Sequence, residues 1–250
     1  DTYVIILAMK KEGKKAGRRH AVIGYILVVA WIFSMALAGF FMPVLMDTLP
    51  YFKVKAIQVE GNRVLPAYVF SKAALELKNN WLFITEGRLL TLLNVLTGNS
   101  VEEVKIDRTF QKDGVVLKVR VKERVPFLTV IEGEKVTFFD EKGVPFFNKY
   151  LTPQKPYVYA PSVDPVKENF STVKKLIDVC KRHLLHVDSI YLSELNTLIY
   201  MSNGSKILLP VLQQIDDATL RRLDSIYNIS MEAREVDLTT EGMAIIKGGE

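Results

Sequence analysis

The sequence has few of the residues from which most catalytic and metal centres are built. Its 250 residues include one cysteine and three histidines, which excludes a disulfide scaffold and a cysteine-rich metal site. It contains no Walker loop, no G-x-G-x-x-G turn, no G-x-S-x-G elbow and no H-E-x-x-H helix. We therefore expect a protein that is not an enzyme, with no catalytic residue, no cofactor and no metal.

The reactive side chains that do occur have structural explanations. Cys180 continues an apolar helical stripe with Val173, Leu176, Ile177 and Leu184, which predicts a small buried residue rather than a nucleophile.

His183 and His186 are three residues apart on the same predicted helix and would share a face, as two metal ligands do. No third ligand is evident, so a solvated helix end is the favoured interpretation. The adjacent acids Glu102-Glu103 and Asp216-Asp217 are predicted to lie on opposite sides of a strand and at a helix cap, respectively, and neither has the spacing of a general acid/base pair.

Glycine and proline are too few for a fibrous or linker-like chain, and the charge is nearly balanced outside the N-terminal region. With 14 Gly, 10 Pro and 49% hydrophobic residues, the chain is neither collagen-like nor disordered. The net charge is +5, but residues 1–46 hold six basic and two acidic residues, whereas residues 47–250 hold 27 and 26. A nearly neutral body argues against nucleic-acid binding, which needs clustered Lys and Arg. Nothing indicates a small-molecule substrate.

One long run, residues 21–46, carries no charge and exceeds the roughly 20 apolar residues that span a bilayer. Six basic residues precede it, so the positive-inside rule predicts a cytoplasmic tail over 1–20 and an exported body. A cleaved signal peptide is the alternative, because Ala36-Leu37-Ala38 resembles a cleavage site. The run is longer than a signal-peptide core, which favours a retained anchor. Since Met9 would be a normal start, residues 1–8 are expected to precede the true start or to be non-native.

Residues 51–125 show the pattern of a small two-layer domain. An alternating strand over 52–60 is followed by two amphipathic helices, the second capped by Thr85, and then by two strands that turn at 112–114. Val104, Ile106 and Phe110 are predicted to face inward on the first of these strands. The order is β-α-α-β-β, with helices on one face of a three-stranded sheet.

Residues 126–250 predict a mixed, β-rich domain with two helices. Strands are predicted over 127–131 and 136–146, the latter with a turn at Asp140 and Gly143, before a proline-rich loop at 153–165. A helix follows Asn169, and strands are predicted over 188–195 and 198–201, the latter joined by an Asn203-Gly204 hairpin to a return strand over 207–209. A helix capped by Asp216 or Asp217 precedes closing strands over 235–238 and 242–247.

This arrangement resembles the bacterial cell-division family FtsQ/DivIB, whose exported part is a POTRA domain followed by a β-rich domain. The similar segments are residues 57–62, ending Glu60-Gly61-Asn62, residues 104–108, and residues 119–126, ending Glu123-Arg124-Val125-Pro126. The turn Asp140-Glu141-Lys142-Gly143 and the strand at 236–238 also match. The chain departs from the family where Phe110-Gln111 replaces an aromatic–proline pair and where Thr239 replaces an arginine.

The resemblance implies an α+β protein with a single N-terminal transmembrane helix (21–46), a POTRA domain (51–125) and an FtsQ-type β domain (126–250). It implies a non-enzymatic scaffold in the cytoplasmic membrane at the division septum, linking early and late division proteins.

In that family the last strands hold the FtsB–FtsL membrane coiled-coil pair, and the POTRA domain meets upstream division proteins. Carried over, the partner-binding edge comprises Thr240, Glu241, Gly242, Met243, Ala244, Ile245, Ile246 and Lys247. On the POTRA domain the corresponding polar face comprises Lys53, Lys55, Gln58 and Arg63.

Two other functions remain open at this stage. A POTRA protein of an outer-membrane assembly or secretion system would need a barrel of at least eight strands of about 9–11 residues, and residues 126–250 hold too few. A membrane-anchored cell-wall enzyme would need a nucleophile, a metal or a carboxylate pair.

Overall fold

The computed structural model describes residues 2–77, 81–229 and 233–248, and begins with a single long helix. Helix α1 runs over Thr2–Thr48. Within it, Ile23–Met42 has a mean hydropathy of 2.2 and is nowhere buried by the rest of the chain. By length and composition this segment suffices to cross a membrane, and it lies inside the predicted span of 21–46.

The first unit of the body (residues 54–123) is a three-stranded sheet covered by two helices. Its elements are β1 (Val54–Glu60), α2 (Ala67–Glu76), α3 (Glu86–Thr97), β2 (Val101–Gln111) and β3 (Gly114–Glu123). β3 lies in the middle, parallel to β1 and antiparallel to β2. The alternating side chains of β3 that the pattern predicts to face inward are all buried: Val115, Leu117, Val119 and Val121.

Local signals set the helix ends of this unit. The Thr85 hydroxyl accepts a hydrogen bond from the Arg88 N–H, and α3 ends at Gly98. Phe110, predicted to face inward, is half exposed instead. It lies at the far end of β2, beyond the part of the strand that the two helices cover, so its ring packs against other aromatic side chains.

The second unit (residues 128–248) is built on a nine-stranded sheet. In chain order its strands are β4 (Leu128–Glu132), β5 (Lys135–Phe139), β6 (Pro145–Phe146), β7 (Tyr157–Tyr159), β8 (Val187–Leu192), β9 (Thr197–Met201), β10 (Lys206–Leu209), β11 (Ala233–Asp237) and β12 (Ile245–Gly248). Across the sheet the order is β12-β11-β10-β9-β8-β7-β4-β5-β6. The helices are α4 (Asp164–Glu168), α5 (Phe170–Arg182) and α6 (Asp217–Ile229).

Three predictions for this unit are wrong in detail. The prolines at 153–165 do not mark a continuous loop: β7 lies in the middle of the large sheet, and α4 begins at Asp164. Three residues are too few to show a strand period, and Pro165 is tolerated in a first helical turn because no intrahelical N–H is needed there. The described part of the unit therefore has three α-helices rather than two. Leu184 lies beyond the end of α5 and is exposed, and Leu185 is buried in its place.

Other local predictions agree with the structure. Asn203-Gly204 forms the turn between the antiparallel strands β9 and β10. The Asp216 carboxylate accepts hydrogen bonds from the backbone N–H and the hydroxyl of Thr219, at 2.7 and 2.8 Å, and so caps α6. These hydrogen bonds lower the pKa of Asp216.

The Glu60-Gly61-Asn62 segment is held against the end of β3. The buried Glu123 carboxylate accepts three backbone hydrogen bonds, from Arg63, Val64 and Leu65, at 2.9–3.0 Å. Gly61 has φ +83°, and a Cβ atom there would overlap the carbonyl oxygen of Val121. The two sequence segments therefore act as one structural feature, which closes the loop between β1 and α2.

The next residue, Arg124, connects the two units. Its guanidinium contacts the Asp140 carboxylate at 2.6 Å, and the two side chains are 12% and 9% exposed. It also donates from Nε to the Asn99 carbonyl at 2.9 Å. Asp140 in turn accepts from the N–H groups of Lys142 and Val144. The pair is buried and each member makes further hydrogen bonds, the condition in which a buried ion pair is tolerated.

We expect Gly61→Ala to lower the free energy of unfolding by about 1–3 kcal/mol more than Gly204→Ala does. Both glycines have nearly the same positive φ, +83° and +86°, so both variants incur similar backbone strain, but a Cβ atom at 204 meets no atom within 4 Å. Urea unfolding of the full chain in detergent, followed by near-UV circular dichroism, measures the difference. Equal losses would show that the close approach to Val121 is unimportant.

We expect Asp140→Ala to cost about 3–5 kcal/mol of unfolding free energy, because it leaves the Arg124 guanidinium buried without its partner. The matched control is Asp113→Ala, which breaks the ion pair with Lys55; the side chains of Lys55 and Asp113 are 48% and 64% exposed. The cost of this variant is expected to be much smaller, because water screens an exposed ion pair. The same unfolding measurement applies. A loss at Asp140 no larger than the control would contradict a connecting role for the pair.

Candidate partner-binding site

The two edges of the nine-stranded sheet differ in what covers them. At the β6 edge, the Phe147 N–H donates to the Gly98 carbonyl at 2.7 Å. The Asn99 side chain donates to the Pro145 carbonyl at 3.0 Å, and the Ser100 hydroxyl donates to the Phe147 carbonyl at 2.8 Å. The first unit therefore satisfies the polar backbone groups of this edge, which removes it as a template for another strand.

At the opposite edge, β12 pairs with β11 and with no other described strand. All four of its residues are exposed, including Ile245 at 54% and Ile246 at 44%. In an antiparallel pair successive residues turn their backbone groups alternately toward and away from the neighbour. β12 therefore presents outward backbone groups beside two exposed isoleucines, the features that edge strands of native proteins usually avoid.

Ile246 is the last member of an aliphatic row that crosses the sheet. The strand register aligns residues of successive strands from β4 to β12: Val130, Val158, Ile190, Ile199, Ile207, Val236 and Ile246. The first six are completely buried under the helices, whereas Ile246 is not. The opposite face of the same strands carries Tyr159 stacked on Tyr191 at 4.6 Å. On the β12 side, the buried hydrophobic layer thus ends where the sheet ends.

The predicted edge residues fall into two groups. Ile245, Ile246 and Lys247 lie in β12, but Thr240, Glu241, Gly242, Met243 and Ala244 lie before it, so a strand starting at Gly242 is a wrong prediction. Gly242 has φ +73°, which ends any extended conformation there, and the Met243 N–H donates to the Thr240 carbonyl. Arg222 of α6 donates to the same carbonyl at 3.4 Å. All eight residues are exposed.

Charges beside the edge are internally compensated. Glu235 on β11 contacts Lys206 at 3.3 Å and Lys247 at 3.5 Å. The hydrogen bond from Lys206, followed by the charge of Lys206 and the contact with Lys247, lowers the pKa of Glu235. The edge therefore has no strong charge of one sign, and aliphatic contact with main-chain pairing is the chemistry that it offers.

The four residues predicted on the first unit lie at another sheet edge. Lys53, Lys55 and Gln58 are on or directly before β1, which pairs with β3 alone among the described strands, and Arg63 follows in the loop. All four are exposed. Lys55 contacts Asp113 at 2.8 Å, which lowers the pKa of Asp113. Charged side chains next to β1 make this edge less suited to strand pairing than β12.

The other edge of the first sheet, β2, is blocked by side chains. The Ile106 N–H donates to the Glu86 carboxylate and the Val101 N–H donates to the Asn94 side-chain carbonyl, each at 3.0 Å. Acceptors from α3 thus occupy two backbone donors of β2.

The remaining reactive residues do not assemble into a centre. Cys180 is fully buried, and burial raises the pKa of its thiol to about 12, so it remains protonated at neutral pH. α5 ends at Arg182, so His183 and His186 do not share a helix face; His183 instead contacts Asp224 at 2.9 Å. Over residues 2–77, 81–229 and 233–248 no group of three His, Cys, Asp or Glu could hold a metal ion.

The two predicted acid pairs have separate partners. Glu102 binds Lys142 at 2.5 Å and Lys122 at 3.0 Å, and these contacts lower the pKa of Glu102 to about 2. Because Lys142 belongs to the second unit, Glu102 adds to the connection between the units. Asp216 caps α6, as predicted, and Asp217 contacts Lys175 of α5 at 2.9 Å.

Comparison with known proteins gives a distant match of nearly full length. No family model matches the chain. An uncharacterized protein of Aquifex aeolicus (strain VF5) is 21% identical over 223 residues, which are 89% of this chain and 99% of that protein. The similarity extends over almost all of both chains and carries no assignment of function.

Proposed function

We propose that the chain is a non-enzymatic, single-pass membrane scaffold of the bacterial division machinery, which binds a partner by strand addition at β12. The observation that carries the proposal is the exposed aliphatic edge of the large sheet, left open while the first unit covers the opposite edge. Strand addition satisfies the unpaired backbone groups of such an edge, and side-chain contacts supply specificity.

The resemblance to the FtsQ/DivIB family supports the choice of partner. The segments that carry it are structurally coupled here: Glu123 holds residues 63–65, which directly follow Glu60-Gly61-Asn62, and Arg124 is held by Asp140 of the similar turn. The β-α-α-β-β order of the first unit is the order of a POTRA domain. In this proposal the partner at β12 is an FtsB–FtsL-type membrane coiled-coil pair, and the β1 side of the POTRA domain receives an upstream division protein.

The orientation follows from charge. The basic residues before α1's apolar segment support an orientation with residues 1–20 in the cytoplasm and both units outside it. In this proposal the anchor lies in the cytoplasmic membrane at the division septum. A partner with its own membrane anchor then reaches β12 in the same compartment.

The geometry also predicts the character of the added strand. On the added strand, the residue paired with Ile246 would extend the buried aliphatic row by one strand. A side chain or helix of the partner would cover it. We expect an aliphatic residue at that position, because burying an isoleucine-sized side chain contributes about 1.5–3 kcal/mol. The opposite face of the same strand would lie beside Ile245 and would tolerate polar residues.

We expect Ile245→Lys and Ile245→Pro to weaken capture of an FtsB–FtsL-type pair at least tenfold, about 1.4 kcal/mol, because they place a charge or a missing N–H on the receiving edge. A pull-down with the full chain in detergent measures this. Ile229→Lys is the matched control, since Ile229 is 88% exposed at the end of α6 and lies outside the strands of the sheet.

Circular dichroism must show that the three variants are folded. Unchanged recovery of the pair with both Ile245 variants would contradict strand addition at this edge, whereas equal loss with Ile229→Lys would show that the effect is not local.

We also expect a fluorescent fusion of the full chain to form a band at mid-cell in dividing bacteria, because a division scaffold is held by its partners at the septum. Fluorescence microscopy of cells in exponential growth measures the distribution. A uniform signal around the envelope would contradict the division role and would leave an assembly or cell-wall function as the better explanation.

A further inference from the structure

Four aromatic side chains form a cluster at the pole of the first unit where the chain leaves α1. Tyr51 stacks on Phe110 with ring centroids 6.1 Å apart, Phe110 meets the edge of Trp81 at 5.2 Å, and Trp81 stacks on Phe52 at 6.2 Å. Neither the partner-binding edge nor the junction between the units uses these residues.

The cluster is rigidly attached to the first unit. The backbone N–H of Trp81 donates to the Phe52 carbonyl at 3.2 Å, and the backbone N–H of Val115 donates to the Lys53 carbonyl at 3.0 Å. The Arg108 guanidinium lies 5.9 Å from the Trp81 ring centre. The linker after α1 and the tip of the β2–β3 hairpin are therefore joined into one surface.

The outer part of this surface is apolar and half exposed. Tyr51 is 49% and Phe110 is 50% exposed, and Leu49, just before them, is 50% exposed. Three large, half-exposed apolar side chains at one pole of a small domain form a patch, whereas apolar residues on most protein surfaces occur singly. Such patches mark interaction sites.

The tether limits what this pole can reach. Asp47 is the first charged residue after the apolar run, and Tyr51 follows it by four residues. At about 1.5–2 Å rise per residue for the end of α1 and the 3₁₀ turn Pro50–Phe52, the axial distance is roughly 6–8 Å. This is about the thickness of one headgroup layer, so with Asp47 at the edge of the hydrocarbon core Tyr51 lies within that layer.

The charges at the same pole suit phospholipid headgroups. Lys53 and Lys112 are exposed beside the rings, whereas the carboxylate at the hairpin tip, Asp113, is neutralised by Lys55 at 2.8 Å. Tyrosine is enriched at membrane–water interfaces because its ring is apolar and its hydroxyl is polar, and lysines near the surface are attracted to anionic lipids.

We propose that Tyr51, Phe110, Lys53 and Lys112 form a lipid-contact surface, which seats the first unit on the phospholipid headgroup region of the membrane that α1 crosses. This inference rests on the single-pass anchor of the proposed function. Because Arg124 and Asp140 join the second unit to the first, seating the first unit restricts the directions in which β12 faces from the membrane.

The test uses the full chain in nanodiscs of phosphatidylcholine and phosphatidylglycerol, with a nitroxide attached to a cysteine at Lys112→Cys. The control is Glu134→Cys, an exposed residue in the β4–β5 turn. The native Cys180 is fully buried and does not compete for the label in the folded chain. Power-saturation electron paramagnetic resonance compares collisions with oxygen, which concentrates in lipid, and with a water-soluble nickel chelate.

We expect the label at 112 to report the headgroup interface and the label at 134 to report water. A second variant combines Lys112→Cys with Tyr51→Ser and Phe110→Ser, and its label is expected to shift into water while circular dichroism remains that of the parent.

Three results would overturn the inference. If the chain inserts but the label at 112 reports water as fully as the label at 134, the lipid-contact surface is refuted and the single-pass anchor stands. If the chain does not enter nanodiscs at all, the anchor and the contact surface both fail. Retained lipid contact in the folded Tyr51→Ser, Phe110→Ser variant would also refute the role of the rings.

Discussion

Two consecutive charged residues at the end of β3 hold the body of the protein together. Glu123 turns back to bind three backbone N–H groups of the first unit, and Arg124 reaches forward to Asp140 of the second. Charges this well buried persist only when they are paired and hydrogen-bonded, so both units must keep their loops in place around them. Glu123 thus fixes a loop within the first unit, whereas Arg124, together with the hydrogen bonds of residues 98–100 and the Glu102–Lys142 contact, fixes the placement of the two sheets.

The same junction decides which sheet edge is available. The backbone around Gly98 and Ser100 hydrogen-bonds to Pro145 and Phe147, so the β6 edge is closed from within the chain. The aliphatic row of the large sheet then runs out at Ile246 on the other side. The two edges of the sheet therefore differ, since one is covered and the other is open and apolar. The proposed site for a partner strand rests on this difference rather than on any reactive group.

Interpretation as a scaffold also accounts for how the polar side chains are used. Glu102, Asp216 and Asp217 each have a lysine or a helix N-terminus as partner, and Cys180 is protonated and buried. These side chains stabilise elements and contacts between them. The features to which we assign partners are surfaces: the β12 edge and the aromatic pole next to α1.

The sequence by itself determined the apolar segment within α1, the β-α-α-β-β order of the first unit, the Thr85 and Asp216 caps and the Asn203-Gly204 hairpin, because each depends on neighbours within a few residues. It missed β7 and α4, since a three-residue strand shows no period and Pro165 is as common in a first helical turn as in a loop. It also extended the last strand back to Gly242, where a positive φ prevents it. Only the tertiary structure decided that Arg124 meets Asp140, that β6 is covered and that β12 is open, because hydrogen bonds and burial between residues distant in the chain leave no local pattern.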